Sequence, residues 1–467
     1  MPGDSDSLSE RKVYMKKSRK TIDLTKGHVL WQLLIFSVPM MIGSLFQDLY
    51  QIVDISISGH ILGDNAVAAI GATTGIMMII NTSVRGLTVG NSLPMSAAFG
   101  AGDMEKTRKT YAGTIKIAVI VAAIITLILM APIDPILMLV QTPINQYDDA
   151  KAYIMIVIGG IIAAMIYHMY EANFRALGNS KIPLMILIMC SLLNIALDYL
   201  CVAVLDWKVP GAAIATVVSW TISAVVSGIL FYKMYPEMRI KWSDFKGDKE
   251  IIKDMLPIGL SSMATLSVFS LGAFMIQGAV NVLGKTSIVA KTAMQNINKF
   301  ATIPSVSICN ALATFCAQNY GAKKFKRIQS SVLWAMLASF VINIVTFTII
   351  FFTGPWLIRV ITDTESEEVV KQAYDMSVFV TAFVWAQTMI MGYRQAIQGM
   401  KRKIIPIIGT TIELFTRGFC AFYMIPAIGY MGIAYAEPLS WIVSGIVMVV
   451  SFYLILGKVK RTETAAD

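Results

Sequence analysis

The sequence predicts an all-α integral membrane protein, with twelve transmembrane helices in two parallel six-helix lobes. Three observations carry this prediction. Of 467 residues, 56% are hydrophobic and only 15% charged, whereas soluble globular chains sit near half apolar and a quarter charged. Mostly apolar runs, each long enough for a helix of about 20 residues to span a bilayer, recur twelve times along the chain. A constant offset of 221 positions relates the first half of the chain to the second.

The runs lie near 30–56, 66–90, 111–133, 152–176, 183–205, 209–232, 251–279, 287–310, 328–353, 372–398, 404–426 and 431–456. Prolines inside them (Pro39, Pro94, Pro257, Pro304) are tolerated because neighbouring helices satisfy the freed backbone groups. The first 28 residues are polar and basic, without an apolar run and small-residue cleavage site, so no cleaved signal peptide is expected.

The loops set the orientation. Lys/Arg excess marks the cytoplasmic side. It falls in the N-terminal segment, in the even-numbered loops (Lys106–Arg108–Lys109, Arg175 and Lys181, Lys233 to Lys249, Lys323 to Arg327, Lys401 to Lys403) and after the last span. The third and ninth loops are acidic, with Asp134, Asp148 and Asp149, then Asp363, Glu365, Glu367 and Glu368. Both termini are therefore expected in the cytoplasm, with the chain in the plasma or inner membrane. The net charge of +10 is this topological signal, so no nucleic-acid partner is expected. Five cysteines in apolar runs, none in a CxxC pair, read as small buried side chains. No metal or other cofactor is expected.

The repeat pairs Gly63 with Gly284, Gly100 with Gly321, Gly178 with Gly399, Gly211 with Gly432 and Trp220 with Trp441. It divides the chain into a tail (1–28), an N-lobe (29–232), a linker (233–250), a C-lobe (251–456) and a second tail (457–467). Parallel repeats with a site between halves are the plan of many secondary transporters, so a small-molecule cargo is expected.

An ionisable group inside a span costs several kcal/mol unless paired or hydrated, and marks a candidate site. Asn194 and Asp198 are four residues apart on one face of span five, which makes Asp198 a candidate proton carrier. A structural hydrogen bond is the competing role. Asp54 falls about 37 Å along span one at 1.5 Å per residue, either at a solvated helix end or buried within the apolar segment that follows; Gln47 lies on the same helix. His168 and Glu171 can share a face in span four, although Glu171 can instead pair with Arg175 one turn on. Glu413 and Arg417 are spaced for an intrahelical ion pair in span eleven. Lys299 in span eight either pairs with Glu413 or faces a cavity.

The segments DLTKG, LLIFSVPMMIGSLFQDLYQIVDISISGHILG, FGAGD, NYGAKK, FRALGNSKIP, LNIALD and GIAYAEPLSW resemble the multidrug and toxic compound extrusion (MATE) family over about residues 22–456. The DinF-like branch is the better match than the NorM-like one. The resemblance implies two lobes in a V around a cavity, and antiport of a small organic, amphipathic, cationic compound against protons, with sodium as the alternative ion. It places Asp54, Asn194, Asp198 and Thr216 in an N-lobe ion-coupling network and makes Pro39 the point where helix one bends. Gln47, His168, Glu171, Lys299, Glu413 and Arg417 remain candidates for the substrate cavity. The chain is expected to act as a monomer.

Three features depart from the family pattern. Glu171 stands where Asn is common, span seven has no carboxylate beyond its start, and Lys299, where it faces the cavity rather than Glu413, suits an anionic or zwitterionic cargo better than a cation. A lipid-linked precursor flippase is therefore the alternative function. A major-facilitator transporter fits poorly, because GAGDMEKTRKT lacks that family's loop pattern. An enzyme is not expected, since no His/Asp/Glu cluster or Ser/His pair stands at a membrane face.

Overall fold

The computed structural model describes residues 21–62, 64–140, 142–245 and 249–464, leaving the side chains of 51–67 and 462–464 outside that description. The described residues are helical, with no strand among them. Twelve long elements follow one another. In the first half these are α1 (Val29–Leu62), α2 (Asp64–Ala101), α3 (Met104–Met130), the two-segment α4 (Ile144–Gly159 and Ile161–Ala176), α5 (Lys181–Asp198) and α6 (Lys208–Met234). In the second they are α7 (Lys249–Asn281), α8 (Lys285–Gly321), α9 (Phe325–Thr362), the two-segment α10 (Glu367–Ala382 and Val384–Gly399), α11 (Ile404–Phe419) and α12 (Tyr430–Thr464). Nine of the described helices are long and apolar enough to cross a membrane, and the bent pairs in α4 and α10 raise that to eleven. The remaining one, α2, has 38 residues and carries Asn81, Arg85 and Asn91 along its length.

The 221-residue offset reappears in the backbone. α4 and α10 are bent by 49° and 46°. α5 runs into a π-helical turn at Tyr199–Val204, and α11 runs into another at Cys420–Met424. The tight turn after α2 uses Gly102 at φ 83°, and its counterpart after α8 puts Lys323 at φ 55°. A left-handed residue is costly for a side-chain-bearing position, so the second turn carries a strain at Lys323 that the first avoids with Gly102.

The contacts divide the chain into two compact units, residues 1–23 with 42–263, and 24–41 with 264–467. This differs from a cut at the 233–250 linker, because each unit claims the start of a helix whose remainder belongs to the other. In the first unit, glycines of α2 let the start of α7 approach. A Cβ on Gly90 would lie 2.7 Å from the Gly259 Cα, and one on Gly86 2.8 Å from the Met263 Cα. Such small-residue contacts are how helices pack where lipid gives no hydrophobic drive. In the second unit, Arg327 donates to the carbonyls of Gly27 (2.8 Å) and Lys26 (3.0 Å) and to Gln32 Oε1 (3.1 Å), and Lys324 Nζ donates to Thr25 O (2.8 Å). These bonds tie the segment before α1 to α9.

The core of the first unit is aromatic. Phe231 of α6 packs on Tyr111 (4.7 Å between centroids), Phe174 (5.1 Å) and Tyr235 (5.1 Å). Beside it, Arg108 Nε donates to Asp244 Oδ2 at 3.0 Å, and the Lys241 backbone N–H donates to the same oxygen at 2.7 Å. The second unit is built around α8, of whose apolar span 78% is buried, against 22% for α9. Phe352 and Phe415 are 76% and 73% exposed, side chains suited to lipid rather than water.

Candidate functional site

Four charged side chains form a chain in the second unit, three of them buried and the fourth, Glu437, partly exposed. Arg394 of α10 donates to Glu413 Oε2 at 2.8 Å, and Arg417 lies 3.2 Å from Glu413 Oε1. Arg417 also donates to Glu437 Oε2 of α12 at 2.7 Å. Its guanidinium sits 4.5 Å from the centroid of Phe269 on α7. Arg394, Glu413 and Arg417 are 8%, 3% and 1% exposed. Isolated charges at that depth are costly; alternating signs along the chain make it neutral.

Glu437 carries the chain to the wall of an open cavity of about 270 Å³, lined by residues of α7, α8, α10 and α12. Residues of α8 at helical spacing (Lys291, Asn298, Thr302) form one side, and Ile433, Glu437 and Trp441 of α12, each four apart, form another. Lys291 is 3% exposed and donates to Gln277 Oε1 at 2.7 Å. Lys299 lies on the lining. Asn298 Oδ1, Gln387 Oε1 and Trp441 Nε1 are buried there without a hydrogen-bond partner.

The first unit holds a second polar centre. Arg85 of α2 donates to Gln47 Oε1 of α1 at 3.4 Å, and it is within electrostatic reach of Asp48, Tyr167, His168 and Arg175. On α4, Glu171 accepts from Arg175 and lies 3.0 Å from His168 Nδ1. Asn194 and Asp198 are both 3% exposed, Asp198 standing where α5 enters its π turn. Neither amide atom of Asn194 has a hydrogen-bond partner. Thr216 directs its hydroxyl to the Ala212 carbonyl of its own helix (3.0 Å).

The candidates read from sequence thus separate into groups. The pairings of Glu171 with Arg175 and of Glu413 with Arg417 are present, the first joined by His168 of the same helix and the second by Arg394 from α10. The two oxygens of Glu413 face Arg394 and Arg417, and Lys299 stands on the cavity lining. Glu413 and Arg417 reach that cavity only through Glu437. Pro39 is buried within the continuous helix α1, two residues before the boundary between units. Asp54 is helical in backbone, but its side chain lies outside the described residues.

Arg85, Lys291, Arg394 and Glu437 were not picked out by sequence reasoning. Each is an ionisable residue inside an apolar run, the signal that found the others. Glu437 also stands 221 positions after Thr216, so the repeat pairs a neutral hydroxyl in one half with a carboxylate in the other.

Comparison with known proteins agrees with this architecture. The MatE family matches twice, over residues 39–200 and 257–421, one match in each half. The chain is 28% identical to the probable multidrug resistance protein YpnP of Bacillus subtilis, over 66% of this chain and 69% of that one. It is 21% identical to the multidrug export protein MepA of Staphylococcus aureus, over 84% and 86%. A MATE protein crystallised in the bent conformation superposes with a TM-score of 0.87 at 21% identity, covering 94% of this chain and 98% of that one. With the family matched in both halves of a doubled helical fold, this chain is a member of the MatE family of multi-pass membrane transporters.

Proposed function

We propose that the chain is a secondary antiporter that exports small amphipathic organic compounds across the plasma or inner membrane in exchange for protons. In this reading it acts as a monomer with both termini on the cytoplasmic side. The similarity to multidrug export proteins supports the export direction. The observation that carries proton coupling is Asp198, a carboxylate 3% exposed inside a span. A carboxylate held out of water can exchange charge for neutrality by binding one proton, and that change alters what its surroundings must supply. Its place at a π turn adds to the reading, since such turns often mark functional positions in helices. The repeat puts Phe419 at the equivalent position, so the first unit alone has this proton acceptor. Rearrangement around Asp198, involving Asn194 one turn before it and Thr216 on α6, with bending of α1 at Pro39, would convert protonation into release of cargo. A gradient of one pH unit supplies about 1.36 kcal/mol per proton, and net charge movement adds about 2.3 kcal/mol per 100 mV.

The test uses purified protein in liposomes with its cytoplasmic face toward the lumen, preloaded with a fluorescent drug. Acid outside should drive efflux, and Asp198→Asn should remove the acceleration by the gradient. Efflux that follows an inward sodium gradient instead, or that survives Asp198→Asn, would overturn proton coupling at this residue.

A further inference from the structure

We infer that the shallow groove between α3 and the start of α7, both in the first unit, holds an anionic phospholipid, its phosphate on Lys116 with Lys109 as a second donor and an acyl chain along the outer face of α3. Lys116 lies inside the third apolar run, about 18 Å along α3 from Met104 at 1.5 Å per residue. Ionisable residues at such places ordinarily face the bundle interior. Lys116 does the opposite. It is exposed, and Ile120, Ile124 and Leu127, which follow it at four- and three-residue steps on the same face, are 48%, 48% and 70% exposed. Such a stripe suits acyl chains, and Lys116 puts a cation at its head.

The neighbouring charges are paired among themselves. Asp244, the acid on the groove, accepts from Arg108 at 3.0 and 3.3 Å and from the Lys241 backbone N–H at 2.7 Å. Lys109 lies 2.9 Å from Glu105, with 33% and 68% of the two side chains exposed. Lys116 belongs to neither pair, and no hydrogen bond or ion pair of the described residues includes it. Seven residues separate Lys109 from Lys116, two turns on one face and roughly 10 Å along the axis. An exposed ion pair is weak, so Lys109 can turn from Glu105 toward a phosphate that Lys116 also reaches.

The groove between the two lysines is apolar. Ala112 and Gly113 of α3 line one side, Ile251 and Ile252 of α7 the other. A Cβ on Gly113 would stand 2.9 Å from the Met255 sulfur, so the helices meet there and keep the groove shallow. Basic pockets between transmembrane helices suit phospholipid head groups. Trp242 is 80% exposed in the short helix Trp242–Phe245, which adjoins the groove through Asp244 and Phe245. Tryptophan settles at headgroup level, and that sets the depth of the site. The apolar floor and the stripe beyond Lys116 favour a lipid over a free phosphate ion, which gains nothing from either.

The test uses the purified full chain in neutral detergent micelles. The probes are phosphatidylglycerol and phosphatidylcholine with identical chains, one of them pyrene-labelled, and energy transfer from tryptophan to pyrene reads binding. Phosphatidylglycerol is expected to bind saturably and at least about tenfold tighter than phosphatidylcholine. Lys116→Gln should weaken phosphatidylglycerol roughly fivefold, the effect of one lysine near a lipid surface, and leave phosphatidylcholine unchanged. Lys116→Arg keeps the charge and should restore binding, so a loss in the glutamine variant reads as loss of charge rather than of fold. Lys106→Gln removes an exposed lysine of the same helix outside the groove and should change affinity by less than about twofold in screening salt. Millimolar inorganic phosphate should not displace the lipid. Equal affinity for the two lipids would overturn the proposal, as would a Lys116→Gln effect no larger than that of Lys106→Gln. Displacement by inorganic phosphate would also overturn it, in favour of a simple anion site.

Discussion

Glu413→Gln is the most informative single change. It keeps the side-chain volume and removes the charge that two arginines share, at 2.8 Å from Arg394 and 3.2 Å from Arg417. The variant leaves two buried guanidinium groups and one carboxylate, that of Glu437, which contacts Arg417. One charge-assisted hydrogen bond and one close ion pair, taken at about 1.5–3 kcal/mol each, give a loss of about 3–6 kcal/mol. That overlaps the roughly 3–5 kcal/mol found when one partner of a buried ion pair is removed. We expect about 4 kcal/mol, since Arg417 keeps Glu437 and its seat against Phe269. Arg394→Gln should cost about 3 kcal/mol, because Glu413 retains one of its two partners. The double variant restores neutrality by reducing the chain to Arg417 and Glu437. It should therefore be less damaging than the sum of the singles by at least about 1 kcal/mol. The assay is equilibrium unfolding of the purified chain in mixed micelles, read by tryptophan fluorescence for wild type, both singles and the double. A cost below about 1 kcal/mol for Glu413→Gln, or strict additivity in the double, would refute the claim that the chain is buried and electrostatically coupled.

Other outcomes follow from the same geometry. Gly90→Ala should lower stability by about 1–3 kcal/mol, because the new methyl would meet the Gly259 Cα at 2.7 Å; thermal unfolding against a neighbouring Val89→Ala control reads the effect. Burial would push the Asp244 carboxyl up, but the Lys241 backbone N–H and Arg108 outweigh it and hold Asp244 below the usual carboxylate range. Its stabilising contribution is then fully present above the unfolded value of about 3.9 and is lost as pH falls through the lower folded value. The stability gap between wild type and Asp244→Asn, measured by denaturant titration at several pH values, should be constant near neutrality and close only below about pH 3.9; a gap that closes between pH 5 and 7 would contradict the pairing. Pro39→Ala should slow gradient-driven efflux if bending of α1 at Pro39 belongs to the transport step, and equal rates in liposomes would remove that role.

The sequence by itself determined the helices, their repetition and the class of residue that matters. A span must satisfy every backbone group internally and be apolar over about 20 residues, so its presence can be read locally. The offset of 221 positions survives into paired bends and paired π turns, because equivalent sequences fold by equivalent local rules. Spacing of three or four residues along one helix is also local, which is why Glu171 with Arg175 and Glu413 with Arg417 were legible. Only the tertiary structure decided the rest. Arg394 meets Glu413, and Arg417 meets Glu437, across different helices. Lys299 faces a cavity while Arg417 is sealed behind it. The ends of α1 and α7 join units other than those a linker would assign. Each of these depends on how a helix is rotated about its axis, and one residue turns the face by 100°. Hydrophobicity cannot fix that angle where lipid is as apolar as the protein interior. Close contacts such as Gly90 on Gly259 and the pairing of buried charges fix it instead, and those exist only once distant segments have met.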